Sequence, residues 1–313
     1  MRSLVVICPV FEEAASILDF HHALRAQLDQ LAPVYSGSVL YVCDPGRDNT
    51  QAKLRQIAAE DKQARVICLS RRFGHQASIL AGMDHVDADV VAMMDCDMQH
   101  PPDIIPRLLA EHERGFDIVH VVRAYGSAVG WFKRSSSWFY YRLLQWLADT
   151  PIRHDAADFR LISRRVCHLF QTSIRERNQF LRGLFSWVGF AQTEITFEAL
   201  PRARGATKYT FWQLMRFAIT GIISFSKKPL RYAAYAGLLT GVFGLVVAAV
   251  TVVQYLAGMR FPAGWATLVA LVAIIGGAQL VFLGVLGEYV GSIVDDVKGR
   301  PLYIVDFTLN FDA

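Results

Sequence analysis

Asp95-Cys96-Asp97 sets two carboxylates one residue apart at the end of an apolar run, Val90–Met94. Side chains of an extended chain alternate between faces, so Asp95 and Asp97 point to one side and Cys96 to the other. Carboxylates placed this way can share a hard divalent cation, Mg2+ or Mn2+, that completes its shell with water and substrate phosphate oxygens. Cys96 is then expected to pack. An Asp-x-Asp pair is common on surface loops, so its weight depends on its setting. Other polar clusters follow earlier apolar runs: Pro9-Val10-Phe11-Glu12-Glu13 after Leu4–Cys8, and Asp44-Pro45-Gly46-Arg47-Asp48-Asn49-Thr50 after Val39–Cys43.

The elements that must position these groups are legible from the same runs. Leu4–Cys8, Val39–Cys43, Val66–Leu69, Val90–Met94 and Ile118–Val122 are short, rich in Val and Ile, and mostly separated by helix-length segments. That alternation predicts an α/β layer with a mostly parallel, Rossmann-like sheet covered on both faces. Ligands of such sheets lie beyond the carboxyl ends of the strands, where the polar clusters fall. No Gly-x-Gly-x-x-Gly follows the first run, which argues against a dinucleotide oxidoreductase, and no Gly-Lys-Ser/Thr loop supports an NTPase.

Of 313 residues, 53% are apolar, more than a soluble core needs. The surplus is concentrated. Tyr232 to Met259 and Phe261 to Gly287 hold no charged residue, with Arg260 between them. Each run exceeds the roughly 20 residues that cross about 30 Å of hydrocarbon as a helix. A transmembrane hairpin over 232–290 is expected, with spans at about 232–258 and 263–288. Basic residues precede the first span (Arg202, Arg204, Lys208, Arg216, Lys227, Lys228, Arg231) and follow the second (Lys298, Arg300), whereas the turn has only Arg260. The positive-inside rule therefore makes residues 1–208, the 209–231 juxtamembrane segment and the 291–313 tail cytoplasmic in a two-span membrane protein. The apolar stretch after Arg2 stops at Glu12, which is a strand pattern and not a cleavable leader.

Trp131 to Trp146 and Tyr209 to Phe225 mix aromatic with basic residues. Amphipathic helices in the headgroup plane and core helices of the soluble domain both fit them. The net charge of +4 is modest and its basic residues cluster beside the spans, which favours membrane lipid over nucleic acid as partner. Five cysteines without metal-type spacing read as reduced, structural thiols.

The stretch from Gly82-Met83-Asp84 through Val90 to Gln99-His100-Pro101-Pro102-Asp103 resembles the polyprenyl-phosphate sugar transferases of glycosyltransferase family 2, the group of dolichol-phosphate mannose synthase and bactoprenol glucosyltransferase. The resemblance continues through Arg71-Arg72-Phe73-Gly74-His75-Gln76, Asp155 to Leu161, Gly205 to Tyr209, Pro229-Leu230-Arg231 and Val297 to Tyr303. It implies a GT-A fold and a nucleotide-sugar donor, a UDP-sugar first among them, with polyprenyl phosphate as acceptor. It further implies a Mg2+ or Mn2+ ion and a homo-oligomer, a tetramer in that family. Pro9, Phe11, Glu13 and Asp44 match positions that contact base and ribose; Asp95, Asp97 and Gln99 match metal and diphosphate positions. Asp158 and Asp155 match the acidic site near the acceptor, and Arg123 and Arg134 match residues that hold phosphate. For Arg202, Arg204 and Lys208, lipid headgroups and the acceptor or leaving phosphate both remain open, and for His75 and His100 substrate contact stands beside a plain hydrogen-bonding role.

The pattern also breaks. Cys43-Asp44-Pro45-Gly46 stands where relatives carry Asp-Asp-Gly-Ser, Glu12 and Arg72 stand at usual Asn positions, and His100 stands where Asp is frequent. The departures surround the donor, so glucose from UDP-glucose leads while GDP-mannose or another sugar nucleotide stays open. A processive synthase fits poorly, since no Gln-x-x-Arg-Trp follows Asp158. An inactive membrane scaffold is the rival of a different class.

Overall fold

The computed structural model describes residues 1–98, 101–124, 156–177, 180–198, 226–258 and 264–311. Strands β1 (Arg2–Val10), β2 (Tyr35–Cys43), β3 (Ala64–Leu69) and β4 (Val90–Met93) are the Val- and Ile-rich runs, and they pair in parallel as β4-β1-β2-β3. Such strands are apolar on both faces because both are covered. Leu4, Val6, Cys8 and Val10 pack toward one layer, with Phe20, Leu24 and Leu28 of α1 (Ile17–Leu31), Leu54 of α2 (Thr50–Glu60) and Leu108 of α4 (Ile105–Glu113). Val5 and Ile7 face the other, with Ile79, Leu80 and Met83 of α3 (His75–Asp84), Phe170 of α5 (Arg164–Thr172) and Phe185 of α6 (Leu181–Trp187). Helix α3 presses so closely on β1 that a Cβ at Gly82 would lie 2.3 Å from Ile7 Cγ2. Only glycine fits there.

Beyond β4 the sheet continues as β6 (Ala156–Ser163), β5 (Ile118–Ala124) and β7 (Gln192–Glu198), and β8 (Val305–Leu309) lies at the other edge, giving the order β7-β5-β6-β4-β1-β2-β3-β8. Strand β6 runs antiparallel between β4 and β5, while β7 is parallel to β5. The sheet is thus mostly parallel, with β6 and β8 opposed to the rest. Its carboxyl-end edge gathers the ends of β1, β2, β4 and β5 and the beginning of β6.

Two long helices follow, α7 (Lys228–Leu256) and α8 (Trp265–Val297). Both are long and apolar enough to cross a membrane, and neither candidate span is buried inside the protein. Leu238, Leu239, Phe243, Leu280, Val281 and Leu283 are each more than 60% exposed. Helix α8 continues past the uncharged run through Glu288, Asp295 and Asp296. At about 1.5 Å per residue its length is roughly 50 Å, well beyond a hydrocarbon core of about 30 Å. The charged end reaches back to the sheet domain, where Asp296 Oδ1 accepts the Arg177 N–H at 3.1 Å. Near the base of the pair, Tyr289 Oη donates to the Ser226 carbonyl at 2.7 Å.

The segment read from sequence as a tail contains an edge strand. Val305–Leu309 forms β8, antiparallel to β3. Tyr303 Oη donates to Asp84 Oδ2 at 2.7 Å, and the same carboxylate takes two bonds from Arg175 at 2.7 and 2.9 Å. Asn310 donates to the carbonyls of Ala58, Asp61 and Ala64. The chain on either side of the helix pair therefore belongs to one sheet.

Candidate active site

At the end of β4, burial follows the alternation of the chain. Cys96 is 2% exposed and joins the core, whereas Asp95 and Asp97 are part-exposed at the sheet edge. His75, the first residue of α3, reaches Asp95, with Nε2 2.8 Å from Oδ1. The imidazole holds one carboxylate oxygen of the pair in place. A divalent cation of the Mg2+ kind, held by few carboxylates and completed by substrate oxygens, suits this donor set. Among the described residues no cluster of three His, Cys, Asp or Glu forms a complete metal cage.

Asp44, at the end of β2, is 3% exposed. Its Oδ1 accepts the Phe73 N–H at 2.7 Å and its Oδ2 the Gly74 N–H at 2.8 Å. A carboxylate that accepts two backbone N–H groups ties the β3–α3 loop to β2, and so fixes where His75 begins its helix. Gly74 takes φ +97°, a conformation that favours glycine.

Pro9 is the last but one residue of β1, and Phe11, just past the strand, lies under the Arg72 guanidinium, 4.0 Å from ring centroid to Cζ. Glu12 has φ +54°. This strain sits against the β2–α2 loop: a Cβ at Gly46 would meet Glu12 Cγ at 2.6 Å, and Glu12 Oε1 accepts the Arg47 N–H at 3.4 Å. Glu13 N–H donates to Thr50 Oγ1 at 3.0 Å, and Glu13 Oε2 accepts from Ser16 Oγ at 2.9 Å. Asp48 joins the two loops, accepting from Ala14 N–H at 3.1 Å and Thr50 Oγ1 at 2.8 Å. Partial burial pushes the Asp48 carboxyl up, but the Thr50 hydroxyl and the Ala14 and Thr50 amides outweigh it and hold it below the usual range.

The other strand ends complete the edge. Arg160 of β6 pairs with Met93 of β4, so the backbone of Asp158, two residues earlier, lies at the same edge as Asp95, two residues after Met93. Arg123 is near the end of β5, opposite Phe197. Gln99, His100, Arg134, Asp155, Arg202, Arg204 and Lys208 lie outside the described residues, as do the segments 131–146 and 209–225. A separate recess of about 640 Å3, lined by Asp84, His85, Asp87, Gln171 and Arg175, lies at the far end of α3 from His75 and holds none of these residues.

Residues 5–170 match the family model described as glycosyl transferase family 2. The chain belongs to glycosyl transferase family 2. The sheet is accordingly of the GT-A type, and the protein is a glycosyltransferase. A family member in Bacillus subtilis, an uncharacterized glycosyltransferase, is 35% identical over 300 residues, 96% of this chain and 92% of its own. The SfII prophage-derived bactoprenol glucosyl transferase of Shigella flexneri is 33% identical over 97% of this chain and 96% of its own. The prophage bactoprenol glucosyl transferase homolog of Escherichia coli is 32% identical over 97% of each. Among solved structures, glucosyl-3-phosphoglycerate synthase of Mycobacterium tuberculosis superposes with a TM-score of 0.47 and 15% identity over 71% of this chain and 76% of that one.

The sequence alone pointed to Pro9, Phe11, Glu13, Asp44, His75, Asp95 and Asp97, and the fold brings all seven to one edge of the sheet. It did not single out Asp48, although the Asp-x-Thr spacing before a helix is a signal for side-chain bonding to the first turn. Nor did it single out Arg72 as a partner of Phe11. Those residues are 61 positions apart, and only the parallel order β1-β2-β3 brings their loops together.

Proposed function

We propose that this chain moves a hexose, with glucose from UDP-glucose as the leading donor, from a nucleotide-sugar to a polyprenyl phosphate such as undecaprenyl phosphate, with inversion at the anomeric carbon. The observation that carries this reading is the extent of the likeness: relatives named bactoprenol glucosyl transferase align over 97% of this chain, long apolar helices included. A soluble acceptor gives no reason for that pair of helices. A lipid acceptor does.

The helix pair is read as two membrane spans. Both flanks of the pair enter one sheet, which supports an even number of crossings, and the basic residues beside α7 and after α8 support a cytoplasmic sheet domain. Arg202, Arg204 and Lys208 then meet lipid headgroups or the phosphate they carry.

Donor binding is assigned to Pro9, Phe11, Glu13 and Asp44. Of these, Phe11 and Glu13 present side chains at the edge, while Asp44 acts by fixing the loop that carries Arg72 and His75. Asp95, Asp97 and Gln99 are the residues that would hold Mg2+ or Mn2+, which as a Lewis acid stabilises charge on a diphosphate. His75 orients Asp95. As the bond to the anomeric carbon breaks, negative charge grows on the leaving diphosphate, and Arg123 and Arg134 are assigned to stabilise it where it develops. The acceptor phosphate is already ionised at neutral pH, so Asp158 and Asp155 serve to position it and have no hydroxyl to deprotonate.

The test is a donor panel. Membranes containing the protein are incubated with undecaprenyl phosphate and labelled UDP-glucose, UDP-galactose, GDP-mannose and UDP-N-acetylglucosamine, and extracted lipid is counted. One donor is expected to yield a glycolipid of inverted anomeric configuration. A retained configuration would end the inverting mechanism, and no labelled lipid from any donor would end the reading.

A further inference from the structure

We infer that Cys43 and Cys68 form an oxidisable dithiol, in which Cys68 attacks a peroxide and Cys43 closes a disulfide beneath the edge strand β8. The inference concerns these thiols alone and holds whichever sugar and acceptor the protein uses.

Cys43 ends β2, Cys68 lies one residue before the end of β3, and the two are direct partners in the parallel ladder. Both side chains belong to the core layer that α1 and α2 cover. Neighbouring strands lie about 4.7–4.9 Å apart, inside the roughly 4.4–6.8 Å of Cα separation that a disulfide spans. Both residues are free thiols, and both line one narrow cleft with Gln51, Arg55 and Phe307.

The surroundings make Cys68 the attacking sulfur. Gln51 Nε2 donates to Cys68 Sγ at 3.3 Å, and the Cys43 S–H donates to it as well. The Cys43 bond, helped by the Arg55 charge, outweighs burial and the Asp306 and Asp44 carboxylates, and holds the Cys68 thiol below its ordinary value. The same bond, and then burial, pushes the Cys43 thiol up, so the shared proton stays on Cys43. The thiolate is the reactive form of cysteine, and here a protonated partner stands next to it to resolve the oxidised sulfur.

Access comes from β8. Cys68 faces Phe307 across the β3–β8 ladder, and the irregularity of that ladder falls between Cys68 and Leu69. Phe307 is half-buried, and Arg55 Cζ lies 4.1 Å from its ring centroid as the outer cover of the cleft. A strand of five residues at a sheet edge opens locally at lower cost than a central one. Cys8 on β1 and Cys96 after β4 lie in mid-sheet, and Cys167 lies in the opposite layer.

The Cys68 thiolate attacks one oxygen of hydrogen peroxide and breaks the O–O bond, and the released hydroxide takes up the thiol proton as water. The Cys43 sulfur then displaces hydroxide from the Cys68 sulfenic acid, its own proton leaving with it as a second water. The two thiols lose two electrons and the peroxide gains them.

The test exposes the full chain in detergent to hydrogen peroxide, blocks the remaining thiols with iodoacetamide in denaturant, and maps the peptides by mass spectrometry. The wild type is expected to lose two of its five thiols, to yield peptides joined through Cys43 and Cys68, and to recover both thiols in dithiothreitol. Cys43→Ser should stop at a Cys68 sulfenic acid that dimedone traps, and Cys68→Ser should leave Cys43 unoxidised. Phe307→Ala should form the disulfide about tenfold faster, the factor for removing about half the burial of a Phe side chain. Tyr303→Phe, which weakens the attachment of β8 and leaves the cleft intact, should shift the rate in the same direction. Five intact thiols in the treated wild type, a cross-link through Cys8, Cys96 or Cys167, or oxidation of Cys43 at the parent rate in Cys68→Ser would overturn the inference. A rate unchanged in both Phe307→Ala and Tyr303→Phe would overturn the role of β8.

Discussion

Asp44 Oδ2 accepts the Gly74 N–H at 2.8 Å, and through that bond the end of β2 holds the loop from which α3 departs. Position and charge both matter here. In Asp44→Asn one of the two acceptors becomes an amide nitrogen, so a donor faces a buried donor. The expected cost is about 1–3 kcal/mol, the range for leaving a buried polar group unsatisfied. Denaturant unfolding of the full chain checks it, and an unchanged midpoint would show that the loop does not depend on the clamp.

Tyr303 bonds to Asp84, which is gripped by Arg175, and the three tie the segment after α8 to the sheet domain. Tyr303→Phe removes one hydrogen bond and keeps the ring, a loss of about 1 kcal/mol. The expected consequence is faster proteolytic removal of the β8 segment under native conditions. Equal cleavage rates in variant and parent would mean that β8 is held by its ladder to β3 alone.

The membrane reading fixes which side each connection faces. All five native cysteines are buried, so an introduced cysteine is labelled against a low background. In intact cells a membrane-impermeant maleimide is expected to label Pro262→Cys, between the spans, and not Ala313→Cys. After permeabilisation both should react. Labelling of both sites in intact cells, or of Ala313→Cys alone, would refute the two-span topology.

Asp117 is 5% exposed and accepts from Ser163 Oγ at 2.9 Å and Arg165 Nε at 2.5 Å. Burial pushes its carboxyl up, but the Arg165 and Ser163 hydrogen bonds and the Arg165 charge outweigh this and hold it below the ordinary range. A carboxyl lowered on folding contributes stability that is complete above its unfolded value, about pH 4, and is lost as pH falls through the folded value. The stability gap between the parent and Asp117→Asn should therefore be widest near pH 6 and narrow toward pH 3. A gap that is flat across that range would mean the ion pair contributes nothing that titrates.

What the sequence showed and what it concealed divide along range. The strand ends, the opposed orientation of Cys96 between two carboxylates, and the two long apolar runs follow from local periodicity, and the structure places β1, β2, β3, β4 and β5 on the expected runs. The insertion of β6 between β4 and β5 is a long-range pairing that no local pattern encodes. Strand β8 was hidden for a related reason: Val305–Leu309 is five residues long, alternates apolar with Asp306 and Thr308, and becomes a strand because β3 offers an open edge. The occupancy of Asp44 is likewise invisible in one dimension, since its partners, Phe73 and Gly74, lie on the far side of α2 and β3.

The central claim is transfer of a sugar to a lipid phosphate at the Asp95/Asp97 edge. The most direct measurement compares purified protein and its Asp97→Ala variant for incorporation of labelled sugar into undecaprenyl phosphate and into undecaprenol. The account predicts labelled lipid only from the phosphate, only with Mg2+ or Mn2+ present, and a loss of about 10²–10³-fold in the folded variant. Equal labelling by Asp97→Ala, or labelling of undecaprenol as readily as its phosphate, would contradict it.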